Sequence, residues 1–425
     1  MTVTAPLSPA SKPWLETAHS IGRRIARQAI WHEDRCNWIG ASLEKGLTGQ
    51  ATLVYATLGP DLYGGTSGIA VFLAELHAAT GDMDIRHAAM GAMRHALARA
   101  ADLPSSMNLG LYSGRIGIAL AAAAVGKLLA ADDLVERSRG LARPLQDAGD
   151  EFDLVAGRAG AIVGLITLRE LLDEPSLMDP ACQLGEALIE TAIKDAGRWS
   201  WSSRRQSESR NLAGLSHGAS GAGYALHELA AVTGESVFYD AAEAAFSYER
   251  QLFDVEARNW PDLRDLGSRS RTTASPPFMT SWCHGAPGIA LSRLRAYELT
   301  GQEAHREEAI IGVETTRRFV EAAVLGGVGN YSLCHGLAGN AEVLLYARTV
   351  LGADWISCGR IALNVAEAGI EAFAKPGNVW PCGTPGGETP NLMLGLAGIG
   401  MFYLRLEDPH VPSALEIRTW SKSRI

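Results

Sequence analysis

One short pattern recurs seven times along this chain and leaves few folds open to it. A Gly-x-x-Gly step, followed each time by an apolar, helix-like run, begins at Gly65, Gly114, Gly157, Gly218, Gly285, Gly336 and Gly395. Successive copies lie 43 to 67 residues apart. A period near fifty marks a repeat array, in which each unit buries its apolar surface against its neighbours. Between the copies run longer, more polar stretches of 3.6-residue periodicity, near 83–101, 133–148, 178–196, 236–253, 304–323 and 353–374, with one more at 14–31 ahead of the first copy. In 236–253, Phe238, Ala241, Ala242, Ala245 and Phe246 share one face, and Glu243 and Glu249 point elsewhere.

The chain therefore carries seven amphipathic helices and seven that are apolar nearly all round. A helix apolar on every side must be buried on every side. Two concentric rings satisfy both classes, so the expected fold is all-α: an α/α toroid of seven inner and seven outer helices, one domain over 14–410. The glycines are expected to shape the turns where inner helices begin, through close backbone approach and unusual φ values. They do not follow predicted strands, and no Gly-x-x-x-x-Gly-Lys-Ser/Thr segment occurs, which excludes a phosphate loop. Residues 1–13 read as a flexible tail and 411–425 as a C-terminal tail. The polar, turn-rich stretch 254–281 is the long loop of the rim, and the proline-rich 375–390 is expected to cap the same rim.

Composition narrows the classes further. With 47% hydrophobic and 20% charged residues the 425-residue chain has the makings of a large folded core. A net charge of −9 without a dense Lys/Arg patch argues against nucleic acid as a partner. The longest apolar run, 116–126, is too short to span a bilayer, and the start lacks the features of a secretory signal. Six thinly spread cysteines do not make a disulfide framework and suit a cytoplasmic protein with a few working thiols.

If all seven turns face one end of the toroid, the residues ahead of each glycine pair converge on one bowl. They are Tyr63-Gly64, Tyr112-Ser113, Asp153 with Ala156, Ser216-His217, Cys283-His284, Cys334-His335 and Met393-Leu394. Carboxylate, imidazole and thiol gathered at one end of a scaffold are the makings of a catalytic site. Two Cys-His pairs on matching turns suggest a soft-ligand metal site assembled from separate repeats. Four donors (Cys283, His284, Cys334, His335) would close a tetrahedral zinc, whereas three would leave the open position that catalysis needs; spacing does not choose between them. Asp153 also suits a helix N-cap, and His217 a hydrogen-bonded histidine at a helix start.

The motifs His217-Gly218-Ala219-Ser220-Gly221, Trp282-Cys283-His284-Gly285-Ala286-Pro287-Gly288 and Cys334-His335-Gly336, set in seven turns, resemble the lanthionine cyclases of the LanC-like family. The wording is most similar to the cyclase domain of the class II lanthipeptide synthetases. Asn259-Trp260-Pro261-Asp262-Leu263 and Asp61-Leu62-Tyr63-Gly64-Gly65-Thr66-Ser67-Gly68 resemble that branch as well. The resemblance covers 14–406. It implies an α/α toroid with Zn²⁺ held by Cys283, Cys334 and His335, a fourth position for water or a substrate thiolate, and His217 with Asp153 as the acid/base pair. His284, beside the first ligand, is not counted as one. Some relatives carry an arginine shortly before the first zinc cysteine; Met279, Thr280, Ser281 and Trp282 stand here, leaving Arg264, Arg269 and Arg271 of the long loop as candidates.

The implied activity is zinc-dependent addition of peptide cysteine thiols to dehydroalanine or dehydrobutyrine, closing thioether rings in a dehydrated precursor peptide. A separate dehydratase or kinase/lyase is the expected partner, because nothing ahead of 14 has room for one. Three other readings share these residues. One is a LanC-like enzyme that adds glutathione to dehydrated residues. Another is a zinc-stapled peptide-binding scaffold with His284 as fourth ligand. The third is a glycosidase using Asp153 and Asp61.

Overall fold

The computed structural model describes residues 13–45, 51–143, 149–202, 210–264, 277–375 and 377–422, and helices dominate it. Outer helix α1 (Pro13–Arg27) comes first. Six inner–outer hairpins follow: α2 (Thr66–Thr80) with α3 (Met83–Arg99), α4 (Arg115–Leu128) with α5 (Asp132–Ala142), α6 (Arg158–Leu172) with α7 (Met178–Thr191), α8 (Ala219–Thr233) with α9 (Ser236–Arg250), α10 (Ala286–Thr300) with α11 (Glu303–Gly326), and α12 (Leu337–Leu351) with α13 (Ile356–Phe373). Inner helix α14 (Leu396–Glu407) completes the series. Each inner helix packs on the next, α14 returns to α2, and α1 covers α14, so the inner ring closes and each inner helix has its outer cover. The α/α toroid expected from periodicity is the fold.

Burial follows the two helix classes. In α4 every residue from Ile116 to Gly126 is buried, whereas in α9 burial is confined to one face. That face includes Glu249, which is fully buried although the sequence pattern places it away from the apolar stripe.

The glycine steps have a more specific cause than unusual dihedrals. Six of the seven cap glycines are in ordinary extended backbone, and only Gly285 has a positive φ, of 86°. The requirement is space. A Cβ on the second glycine of each step (Gly68, Gly117, Gly160, Gly221, Gly288, Gly339, Gly398) would lie 1.7–2.3 Å from the carbonyl oxygen six residues earlier. The rim loop lies directly on the first turn of the helix it feeds. Gly339→Ala should therefore cost about 1–3 kcal/mol, as is typical of overpacking, read as a shift in the urea midpoint. Gly140→Ala, where a Cβ meets nothing within 4 Å inside α5, should be neutral or stabilising.

Two features depart from the sequence reading. Three short antiparallel hairpins interrupt the helices: β1 (Ile30–His32) with β2 (Arg35–Asn37), β3 (Ile39–Lys45) with β4 (Ala51–Thr57), and β5 (Ile193–Asp195) with β6 (Arg198–Ser200). The first and last take over the ends of the helices expected at 14–31 and 178–196. At the last, Ala196 and Gly197 both adopt positive φ (47° and 79°), the two-residue turn that suits a twisted hairpin. Second, 411–422 is no tail. Ala414, Leu415, Ile417 and Trp420 are buried, and Ala414 accepts a hydrogen bond from Tyr112 Oη at 2.9 Å. Arg418 pairs with Glu228 and Glu170 of the inner ring. This segment packs on α6 and closes the toroid from within. Residues 1–12 and 265–276, the tail and the middle of the long loop, lie outside the described residues.

Candidate active site

The rim is laced by the backbone. Tyr63 N donates to Tyr112 O (2.8 Å), Tyr112 N to Val155 O (3.0 Å), Leu154 N to Ser216 O (3.2 Å) and Ser216 N to Cys283 O (3.2 Å). From the other side Cys334 N donates to Met393 O (2.9 Å) and Met393 N to Tyr63 O (3.0 Å). Loops from all seven repeats are thus brought to one mouth. Among the described residues no such backbone bond joins the Cys283 turn to the Cys334 turn; there the two thiols lie against each other.

That contact splits the thiols electrostatically. The hydrogen bond from Cys334 lowers the Cys283 pKa, helped by the charges of Arg264 and His217 against the cost of burial. The same bond, with burial, pushes Cys334 well up, although Tyr63 also bonds to it. The pair behaves as two sulfurs sharing one proton. A soft divalent ion is the natural replacement for that proton, so the thiols fit zinc. His335 Nε2 lies 3.0 Å from Gly383 O, which leaves Nδ1 as the free ring nitrogen. Among the described residues, three donor atoms come within 4.8 Å of one another only at His227, Glu243 and His305, so His335 stands outside the touching thiol pair. The 375–390 stretch does approach the rim: a Cβ on Gly383 would lie 2.8 Å from both His335 Nε2 and Ser332 Oγ.

His217 and Asp153 are hydrogen-bonded, Nδ1 to Oδ2 at 2.7 Å. The other carboxylate oxygen accepts from Ala156 N at 2.6 Å, so Asp153 caps its own turn and orients the imidazole at once. Burial works against charge on His217, but the bond and charge of Asp153 outweigh it and raise the pKa. Asp61, the other rim aspartate, accepts from Gly64 N and its pKa is raised by burial. It performs the capping half of the Asp153 role without a histidine partner.

His284 faces His217 at 6.0 Å between ring centroids. Burial, then Arg264, pushes its pKa down to about 3, and its Nε2 is buried without a hydrogen-bond partner. Of the three candidate arginines, Arg264 is described, and its charge reaches both thiols. It is held bidentate by buried Asp262 (2.9 and 2.7 Å) and bonds to Met279 Sδ at 3.1 Å. Arg269 and Arg271 lie outside the described residues.

One contributor was not legible as a site residue. Glu249 of α9 accepts from Gly214 N (2.7 Å), Ser220 N (2.9 Å) and Ser220 Oγ, and pairs with fully buried Arg293 of α10 at 3.1 Å. It fastens the turn that carries His217 to both rings. Its signal is faint: a glutamate one helical turn beyond an apolar stripe.

The chain is a closed α/α toroid with a thiol pair and a carboxylate-bound imidazole on one rim. The chain belongs to the lanthionine synthetase C-like protein family, whose profile matches residues 56–416. Glutathione S-transferase LANCL1 of Danio rerio is 24% identical over 280 residues, 60% of this chain and 59% of that protein, so the match spans about three fifths of that curated relative. Among solved structures, nisin cyclase is similar at a TM-score of 0.60 and 18% identity, covering 85% of this chain and 92% of that one. A family 76 α-mannanase of Bacteroides thetaiotaomicron is similar at 0.52 and 10% identity, covering 93% and 96%. At such identities these structures share the fold alone.

Proposed function

We propose that the chain is a zinc-dependent lanthionine cyclase. The observation that carries this is the His217–Asp153 pair standing on the same rim as the bonded thiols Cys283 and Cys334, in a chain of the LanC-like family. Cys283, Cys334 and His335 would hold the metal. Bound Zn²⁺ supplies the positive charge that keeps a substrate thiol ionised near neutral pH.

The remaining steps belong to the chain. The bowl holds a dehydrated peptide so that its cysteine sulfur faces the β-carbon of a dehydroalanine or dehydrobutyrine. The sulfur forms the C–S bond, the alkene electron pair moves to the α-carbon, and that carbon takes one proton. His217 holds this proton on Nε2 while Asp153 fixes Nδ1, and the transfer leaves a neutral imidazole for water to recharge. Arg264, clamped by Asp262, adds positive potential beside the sulfurs.

A second reading keeps the same addition and takes glutathione as the thiol; the match to glutathione S-transferase LANCL1 supports it. The test offers the purified chain a dehydrated, cysteine-containing peptide with and without glutathione. Mass spectrometry after thiol alkylation distinguishes ring closure from a glutathione adduct. The cyclase reading expects protected thiols at unchanged mass. Removal of Cys334 by alanine should cost about one equivalent of zinc and all turnover; zinc content equal to wild type would sink the metal assignment.

A further inference from the structure

The rim is not the most compact donor cluster in the molecule. On the flank of the toroid, eight residues into α8 and about 12 Å of helical rise from Ala219, His227 projects from the inner ring toward Glu243 of α9 and His305 of α11. His227 Nε2 lies 3.1 Å and His305 Nε2 3.0 Å from the same oxygen, Glu243 Oε1. We propose that these three side chains form a second divalent-metal site, a His₂Glu zinc site that staples α8, α9 and α11 independently of the rim.

Four observations carry it. His305 is 0% exposed, and neither of its ring nitrogens has a hydrogen-bond partner. Its Nε2 lies 3.0 Å from Oε1, the oxygen that His227 Nε2 already bonds, so two buried imidazoles are left to one acceptor, a shortage that an ion held by all three would relieve. The donor separations also suit the ion: zinc bonds of about 2.0–2.1 Å in a tetrahedron set donor atoms about 3.3 Å apart.

The surroundings are those of ligands held in place. Arg250 lies 3.5 Å from the other carboxylate oxygen, Oε2, and turns Oε1 toward the imidazoles. Phe246 packs against both rings, and Tyr239 against His227. His227 Nε2 is hydrogen-bonded to Glu243 Oε1, so an ion would take the place of that shared proton. The nearby guanidinium of Arg293 is neutralised by Glu249 and Glu308. A surface cavity of about 220 Å³, lined by His227, Ser236, Tyr239 and Thr300, opens on the His227 side of the cluster.

The experiment counts zinc in the full chain by mass spectrometry, with circular dichroism confirming the fold. Cys283→Ser/Cys334→Ser should keep about one zinc per chain, and adding His305→Leu should remove it. Glu243→Gln should weaken it, seen as release at lower chelator concentration. A folded double-cysteine variant without zinc overturns the site, as does zinc that survives His305→Leu. Should the cysteine variant not fold, the wild-type chain loaded with Co²⁺ serves instead. His305→Leu should then delete a visible spectrum that lacks thiolate charge transfer and leave the thiolate bands of the rim, and an unchanged spectrum refutes the proposal. A wild-type chain holding one zinc that His305→Leu abolishes would support this site and sink the rim assignment, so the two fail separately.

Discussion

His217→Ala is expected to slow thioether ring formation by about 10²–10⁴-fold while leaving the fold and the zinc content intact. The imidazole is no part of the thiol pair, and it is held on the rim by the 2.7 Å bond to Asp153. Single-turnover cyclisation read by mass spectrometry, alongside zinc analysis, checks both halves. An unchanged rate would remove His217 from the mechanism. The pH profile carries a further sign. Although burial opposes it, Asp153 raises the His217 pKa above its ordinary value, so the imidazolium persists to higher pH than in an ordinary histidine and is lost as pH rises through the raised value. A proton-donor role therefore expects the rate to fall on the alkaline side. Asp153→Asn should move that fall to lower pH.

The largest stability effect is expected at Glu249. Its carboxylate is fully buried, takes the N–H groups of Gly214 and Ser220, and pairs with the equally buried Arg293. Glu249→Ala leaves the guanidinium with Glu308 alone and strands two amides at once, and loss of one partner from a buried pair costs about 3–5 kcal/mol. Equilibrium unfolding in urea reads the loss directly. Glu249→Leu combined with Arg293→Met should recover part of it, because no lone buried charge remains. Since the carboxylate ties down the turn before His217, the single variant should also lose cyclisation below its unfolding temperature.

Periodicity made the rings readable because an inner helix of a closed toroid has no solvent face, as the unbroken burial from Ile116 to Gly126 illustrates. The rim was readable for a related reason: equivalent turns must project to equivalent places, so the residues ahead of each glycine pair arrive at one mouth. The hairpins were missed because strands such as 193–195 and 198–200 are too short to establish a period of two. The 411–422 segment was missed because its burial depends on partners hundreds of residues away, Tyr112 and Glu228 among them. Tyr63 stood among the rim residues with no partner assigned to it, and its hydroxyl bears on the Cys334 thiol. Local sequence does not reveal whether a rim hydroxyl turns inward. Glu243 and His305 escaped notice for the opposite reason. Each looks like an ordinary polar residue on its own helix, and only the packing of α8, α9 and α11 makes them neighbours.

The pairing of α1 with α14 bears on how the molecule is made. Of the toroid's helices α1 comes first in the chain and finds its partner almost 370 residues later, the kind of sequence-distant contact that slows folding. Until then the emerging chain is a growing horseshoe of helical hairpins, each stable against its neighbour but with two raw apolar edges. The horseshoe carries Asp153, His217 and both thiols well before it can close. The rim hydrogen bonds between the sixth, seventh and first turns must wait for the last helix, so the bowl acquires its shape in one late event. Aggregation at those open edges is the hazard of that interval, and a chaperone requirement would fall there.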